Sequence, residues 1–256
     1  MNIIKSEDNK KIKYIKSLKI KKNRLRDMTF ILEGKKVILE AINEGAEILE
    51  IFVSESFFNN EKIGEFGSVN IISDQIFNKI SDTVNSQGIV ATCKLEIHDL
   101  EDILPFGRYI FLDGLSDPGN MGGIIRGADA FSFDGVILGP NCVDVMNEKV
   151  VRSTMASIFR VNLFNMKSYE DIAILNRMFF RIIATTLEGD SKAPKDSDLK
   201  DNIIVVIGNE ANGVSKEFLE KSSERIHIPM PGNAESLNAN VAASIIMYES
   251  DRQKNA

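Results

Sequence analysis

The sequence has no tryptophan, only two cysteines and only two histidines, and each shortage removes a class of chemistry. Cys93 and Cys142 form no Cys-x-x-Cys pair, and His98 and His227 stand alone, so neither a disulfide framework nor a metal centre is expected. No apolar run approaches the roughly 18 residues that a membrane-spanning helix needs. The opening stretch, MNIIKSEDNKKIK, lacks the apolar segment of a secretory signal. Two nucleotide signatures are missing as well. No Gly-x-Gly-x-x-Gly follows a strand pattern, and no Gly-rich loop ends in Gly-Lys-Ser/Thr. The expectation is a cytoplasmic protein without metal or membrane contact, whose ligand is held by other means.

Charge is present but unevenly spread. The chain sums to −6, yet residues 1–26 hold ten Lys/Arg against Glu7 and Asp8, an excess of +8 that leaves −14 for the remainder. Such asymmetry fits an arm that binds a polyanion, and equally a solubilising lysine tail.

The first third reads as a small α/β unit. Residues 34–46 have helical spacing at Ile38, Ala41 and Ile42, with Gly45 as the stop. Strands are predicted at 48–54, 69–73 and 88–95, with a helix after Asp74 carrying Ile76, Phe77 and Ile80. The division expected is 1–97 for the basic arm and small domain, 98–107 for an acidic linker broken by Pro105, and 108–256 for a second domain. There the pattern predicts strands at 109–113, 135–139, 181–187, 202–208 and 225–230. Helices are predicted at 122–131, 148–159, 169–180, 215–222 and 240–254, the last burying Val241, Ile245 and Ile246 on one side. Alternating strands and helices imply a mostly parallel sheet covered on both faces. Loops that begin at Asp113, Leu187, Gly208 and Met230 then share the carboxyl edge, where such sheets bind ligands.

Taken singly, those loops are ordinary. LDGLSDPGN reads as a β-turn, Asn120 as a turn residue, Arg126 as an exposed helix cation, and GNEANG as a turn before an N-cap at Ser215. Taken together and in order, they form an unusual set. Asn-x-Gly-x-x-x-Arg-x-Ala-x-Ala-Phe spans 120–131, Gly-x-Glu-x-x-Gly spans 208–213, and Ile-Pro-Met-x-Gly-x-x-x-Ser-Leu-Asn spans 228–238.

With these motifs the chain resembles the SpoU/TrmH family of RNA 2′-O-ribose methyltransferases, within the SPOUT superfamily. KVVRSTMASIFRV (149–161) resembles that family's Lys-x-x-Arg helix, and RDMTFILEGKKVILEA (26–41) resembles the entry to its small substrate-binding domain. The resemblance implies a Rossmann-like parallel sheet whose chain is tied in a deep trefoil knot, a topology that periodicity does not reveal. It implies S-adenosylmethionine as cofactor, with Gly208, Ile228, Met230 and Leu237 framing it and the strand end at Thr185 and Leu187 nearby. Gly and Ile-Pro-Met loops provide the backbone hydrogen bonds and apolar walls an adenine needs. By the same resemblance, Arg126 is the central catalytic residue, with Asn120, Glu210, Ser236 and Asn238 at the other polar positions. Because a guanidinium stays charged, Arg126 is read as a clamp on ribose or phosphate that favours the developing oxyanion. Glu210 is expected to fix Arg126 or Asn120, and Ser236 and Asn238 to orient ribose or loop backbone.

The chain departs from the family pattern at Ser132, Ala156 or Ser157 (usually Gly), Glu148 and Asn162 (usually Pro), and Asn240 (usually small). A homodimer is implied, with an arginine of one subunit completing the site of the other. RNA is the implied partner, with large-subunit (23S) rRNA favoured over tRNA because of the extra N-terminal domain. The alternatives are a tRNA 2′-O-methyltransferase, a non-catalytic RNA binder on the same scaffold, and a nucleotide-dependent oxidoreductase on an open sheet.

Overall fold

The computed structural model describes residues 3–61, 63–81, 83, 86–187 and 189–256. The chain divides into two compact units, Met1–Glu96 with Met146–Val151, and Ile97–Val145 with Arg152–Ala256.

The small unit runs α1 (Lys10–Ser17), α2 (Lys21–Asp27), β1 (Thr29–Glu33), α3 (Lys35–Asn43), β2 (Ile48–Ser54), α4 (Glu55–Asn60), β3 (Asn70–Ile72), α5 (Asp74–Ile80) and β4 (Ile89–Lys94). Its four strands lie in the order β1-β4-β2-β3, antiparallel except where β2 meets β3. The basic N-terminal stretch is therefore not a free arm. Ile12, Ile15 and Leu18 recur at helical spacing and are buried, the first two against Phe52, Ile72, Ile76, Phe77, Ile80 and Val90. Counting charges could not reveal this, because the apolar positions are three among many lysines. Much of the excess charge is also answered locally. Lys11 pairs with Glu50, Lys13 with Asp8, Lys16 with Glu7 and Arg26 with Asp27. Lys5, Lys10, Lys21 and Lys22 are exposed and make no ion pair among the described residues.

The large unit contains β5 (His98–Asp99), β6 (Arg108–Leu112), α6 (Pro118–Ala130), β7 (Gly135–Leu138), α7 (Glu148–Thr154), β8 (Leu163–Asn165), α8 (Ile172–Arg177), β9 (Arg181–Thr185), β10 (Ile203–Ile207), α9 (Lys216–Lys221), β11 (Glu224–Ile226) and α10 (Ala239–Lys254). The first residues of α7 fall within the small unit's Met146–Val151 segment. Seven strands form one parallel sheet in the order β11-β9-β10-β6-β7-β8-β5. The strands β6, β7 and β10 are buried at every residue, as a sheet covered on both faces requires.

Several elements differ from their sequence-based expectation. The stretch 98–107 contributes β5, the edge strand beside β8, and a 3₁₀ turn at Leu100–Asp102. The short strand β8 has only three residues and shows no alternation to read. The helix expected to reach 159 stops at Thr154, because Met155 and Ala156 take left-handed φ values of 48° and 69°. Ser132, where the family pattern has glycine, is also left-handed at φ 51°. DPGN is not a free turn but the start of α6. Asp117 accepts a hydrogen bond from the Asn120 N–H at 2.8 Å, with Pro118 in the first turn, where its missing N–H costs nothing.

Helices α6 and α10 approach closely at glycines. A Cβ on Gly123 would collide with the Asn240 amide, and one on Gly127 with the Met247 methyl. The larger residue at 240 is thus accommodated by Gly123. The buried stripe of α10 is Ala243, Ile246, Met247 and Ser250, so Val241 and Ile245 stand on the outer side, 43% and 38% exposed, contrary to the expectation from periodicity. Arg108, 2% exposed, ties this layer to the sheet. Its guanidinium donates to Ser250 Oγ at 3.1 Å and to the carbonyls of Phe131 and Ser132 at 3.1 and 2.9 Å, and lies 4.8 Å from the centroid of the Phe133 ring.

Replacing Arg108 with alanine leaves two carbonyls and a hydroxyl without their donor and opens a void. The expected cost is about 2–4 kcal/mol, read as a lower urea midpoint of the large unit.

Candidate active site

The centre of the sheet is where the chain changes direction. From β6 it moves outward to β7 and β8, then returns to place β9 and β10 on the other side. Strands β6 and β10 are neighbours in register, Leu112 opposite Ile207, and the Asp113 N–H donates to the Ile207 carbonyl at 2.9 Å. The loops leaving their carboxyl ends face each other across this switch point, the usual ligand position in such sheets.

Side chains join the two loops. Asn209 Nδ2 donates to the Gly114 carbonyl at 2.7 Å. Glu210 Oε2 accepts from Ser116 Oγ at 2.9 Å and from the Ser116 N–H at 3.3 Å. Its Oε1 accepts from the Asp117 N–H at 3.2 Å and from Asn120 Nδ2 at 2.9 Å. A third segment completes the group, because Asn238 Nδ2 donates to Asn120 Oδ1 at 2.7 Å. Asn238 is held by capping α10, its Oδ1 accepting from the N–H groups of Asn240 and Val241 at 3.0 and 3.3 Å. Asn120 is 6% exposed, and both ends of its amide are used.

The electrostatics of Glu210 follow from these bonds. Partial burial opposes ionisation, but donors from Asn120, its own backbone N–H and Ser116 outweigh it and hold the carboxyl at about 2, against an ordinary 4.5. The site thus carries a fixed negative charge across the physiological range. The folded value is the lower one, so the stabilisation is complete above about 4.5 and is lost as pH falls toward 2.

The eleven residues marked by sequence fall into three groups. Asn120, Glu210 and Asn238 meet directly. Arg126 does not join them. It lies about 120° around α6 from Asn120. It is exposed, and its side chain makes no hydrogen bond or ion pair among the described residues. Of the two partners expected for Glu210, the structure gives it Asn120 and not Arg126. Ser236 is exposed and likewise makes no hydrogen bond among the described residues.

The third group lines the strand ends. Leu187 is 64% exposed, and Ile228, Met230 and Leu237 are half-buried, leaving apolar side chains uncovered at a polar edge. Thr185 Oγ1 donates to the Val206 carbonyl at 2.8 Å. The close approach at Gly208 is to the chain itself, since a Cβ there would collide with the backbone of Gly213 and Val214. Sequence reasoning missed Ser116 and Asp117 as partners of Glu210. Both lie inside the quoted LDGLSDPGN stretch, but a turn reading gave them no role.

Among the described residues, no group of three or more His, Cys, Asp or Glu could hold a metal ion, and no helix is long and apolar enough to cross a membrane.

Comparison with known proteins gives these loops a context. Residues 107–248 match the SpoU rRNA Methylase family, and residues 9–91 match the MRM3-like substrate binding domain. The chain is 32% identical over 251 residues to the 23S rRNA (guanosine(2553)-2′-O)-methyltransferase RlmP of Bacillus subtilis (strain 168), spanning 97% of this chain and 98% of that one. The crystal structure of an AdoMet-bound rRNA methyltransferase from Sinorhizobium meliloti superposes with a TM-score of 0.86 at 28% identity, covering 98% of this chain and 97% of that one. A further match is weaker: the A. aeolicus TrmH/SpoU tRNA modifying enzyme, also 28% identical, has a TM-score of 0.52 and covers 58% of this chain and 76% of its own.

Two outcomes follow from the loop geometry. Gly208→Ala forces the 208–215 loop outward and is expected to cost about 1–3 kcal/mol in thermal unfolding. The stability difference between wild type and Glu210→Gln, measured by urea unfolding, is expected to shrink as pH falls from about 5 toward 2.

Proposed function

The chain belongs to the SpoU rRNA methylase family, and from that premise we propose that it transfers a methyl group from S-adenosylmethionine to a ribose 2′-hydroxyl of 23S rRNA. The observation that carries this reading is the Asn120–Glu210–Asn238 network at the β6/β10 switch point, formed by three loops distant in sequence. A tRNA substrate is less well supported, because the neighbour described as a tRNA-modifying enzyme covers only 58% of this chain.

The residues present fit the cofactor. Uncovered apolar side chains at Leu187, Ile228, Met230 and Leu237 suit an adenine and a thioether chain, and Thr185 and Gly208 border them. S-adenosylmethionine supplies, when bound, an electrophilic methyl group. The protein's task is to orient the ribose oxygen and ease the loss of its proton. Arg126, exposed and without an internal partner, is free to clamp ribose or phosphate and to favour negative charge on that oxygen. Asn120, Glu210 and Asn238 hold the loops, and Ser236 lies free on its loop to meet the substrate.

The same reading divides the chain into a small RNA-binding domain at 1–97, a connecting stretch at 98–107 and a knotted methyltransferase domain at 108–256. The trefoil knot is inferred from family membership, and the close packing of α10 on α6 is compatible with it. A homodimer in the cytoplasm completes the proposal. Val241, Ile245 and Tyr248 form an exposed stripe on α10, 43%, 38% and 57% exposed, that a second copy would cover. An arginine from that copy would then complete each site. Phosphate contact falls to the unpaired lysines, Lys5, Lys10, Lys21 and Lys22.

Labelled methyl from S-adenosylmethionine should enter rRNA and not tRNA, and Arg126→Ala should lower the rate about 100-fold or more while cofactor affinity holds. Full activity in the alanine variant, or label in tRNA alone, contradicts the assignment. Changing Lys10, Lys21 and Lys22 to alanine should flatten the salt dependence of RNA binding, by up to about one unit of log–log slope per lysine.

A further inference from the structure

One buried acid near the site has no role in the network described above. Asp113 directly follows β6 and is 2% exposed. Its Oδ1 accepts from the Tyr169 hydroxyl at 2.7 Å, and its Oδ2 accepts from the Ser215 N–H at 2.7 Å. Neither donor is a cation, and Asp113 makes no ion pair among the described residues. A buried carboxylate answered only by neutral donors is costly, and an apolar side chain of the same size would relieve that cost.

Its position explains what it does there. The 208–215 loop is fastened at its first half by Asn209 to Gly114 and by Glu210 to Ser116, Asp117 and Asn120. The Ser215 end is fastened by Asp113. Tyr169 brings in a third segment, the 3₁₀ turn Tyr169–Asp171 before α8. Its ring meets Phe218 of α9 edge-on at 6.1 Å, and Phe218 lies 4.3 Å from Phe111 in β6. The carboxylate thus joins a strand end, a turn and the last residue of the loop that carries Glu210.

We propose that Asp113 is a positioning residue: through Ser215 it holds the Gly208–Ser215 loop in the geometry that presents Glu210 to Asn120, with Tyr169 fixing the carboxylate. Its activity readout rests on the methyl-transfer reading, whereas its structural readout does not.

The chemistry makes the variants discriminating. In Asp113→Asn the amide oxygen can accept from Ser215, and the amide NH₂ can donate to the Tyr169 oxygen, which accepts as well as donates. Both links survive with one reversed. In Asp113→Leu both are gone, while the buried charge is removed.

The experiment compares wild type, Asp113→Asn, Asp113→Leu and the double variant Asp113→Asn/Tyr169→Phe by methyl transfer, thermal unfolding and amide hydrogen exchange. Asp113→Asn should keep kcat within about threefold, whereas Asp113→Leu should lose about tenfold or more. Its unfolding temperature should be no lower than wild type, and exchange should accelerate only in residues 208–215. Should Asp113→Leu fail to fold, the double variant decides. Its amide has lost the Tyr169 acceptor that Asp113→Asn keeps, so its kcat should fall below that of Asp113→Asn.

Wild-type kcat with wild-type exchange in Asp113→Leu overturns the proposal. So does a parallel loss of stability, activity and protection throughout the large unit, which marks a purely structural role. A double variant as active as Asp113→Asn overturns it too. If wild type itself transfers no methyl to RNA, the methylation reading fails and the exchange pattern alone judges the loop anchor.

Discussion

The site depends on the parallel pairing of β6 with β10. Five consecutive residues of each strand are matched, from Arg108 with Ile203 to Leu112 with Ile207, so the two chains leave the sheet at the same level. A slip of one residue would turn alternate side chains to the other face and carry Glu210 away from Ser116 and Asn120. The pairing is stiff because both strands are buried at every residue, and it is non-local, joining segments almost a hundred residues apart. The polar network at the strand ends is a consequence of that register.

A second constraint keeps the helical layer in place. Gly123 and Gly127 let α6 lie close against Asn240, Ser244 and Met247 of α10, while Arg108 draws the end of α6 and Ser250 of α10 toward the start of β6. The same arrangement seats Asn238 as the cap of α10 beside Asn120. Packing at one end of α10 thereby positions a polar group at the other. It also turns Val241, Ile245 and Tyr248 outward, so the exposed apolar stripe and the cap beside the site are set by one helix rotation.

The two units treat charge differently. In the small unit Glu7, Asp8, Asp27 and Glu50 are consumed in ion pairs at the surface, each worth little in stability, and Lys5, Lys10, Lys21 and Lys22 remain open among the described residues. In the large unit, three charged side chains are buried among the described residues, Arg108, Asp113 and Asp144; the first lies among carbonyls and the second among neutral donors. The first pattern leaves cations at the surface. The second serves geometry, because a buried charge tolerates few arrangements of its partners.

The sequence by itself determined the alternation of strands and helices, the parallel sheet, and the identity of the loops at its carboxyl edge. These are local properties, readable because a fully apolar run of four or five residues such as YIFL or IIVVI has few other fates. Motif order was legible too, and it led to Asn120, Glu210 and Asn238 before any contact was known. What only the tertiary structure decided is which groups meet. Glu210 binds Asn120, Ser116 and Asp117 while Arg126 stays free, α10 buries Ala243 and Met247 in place of Val241 and Ile245, and the lysine-rich start folds into the small unit. Each of these depends on a helix rotation or a strand register, and those are fixed by contacts between residues far apart in the chain.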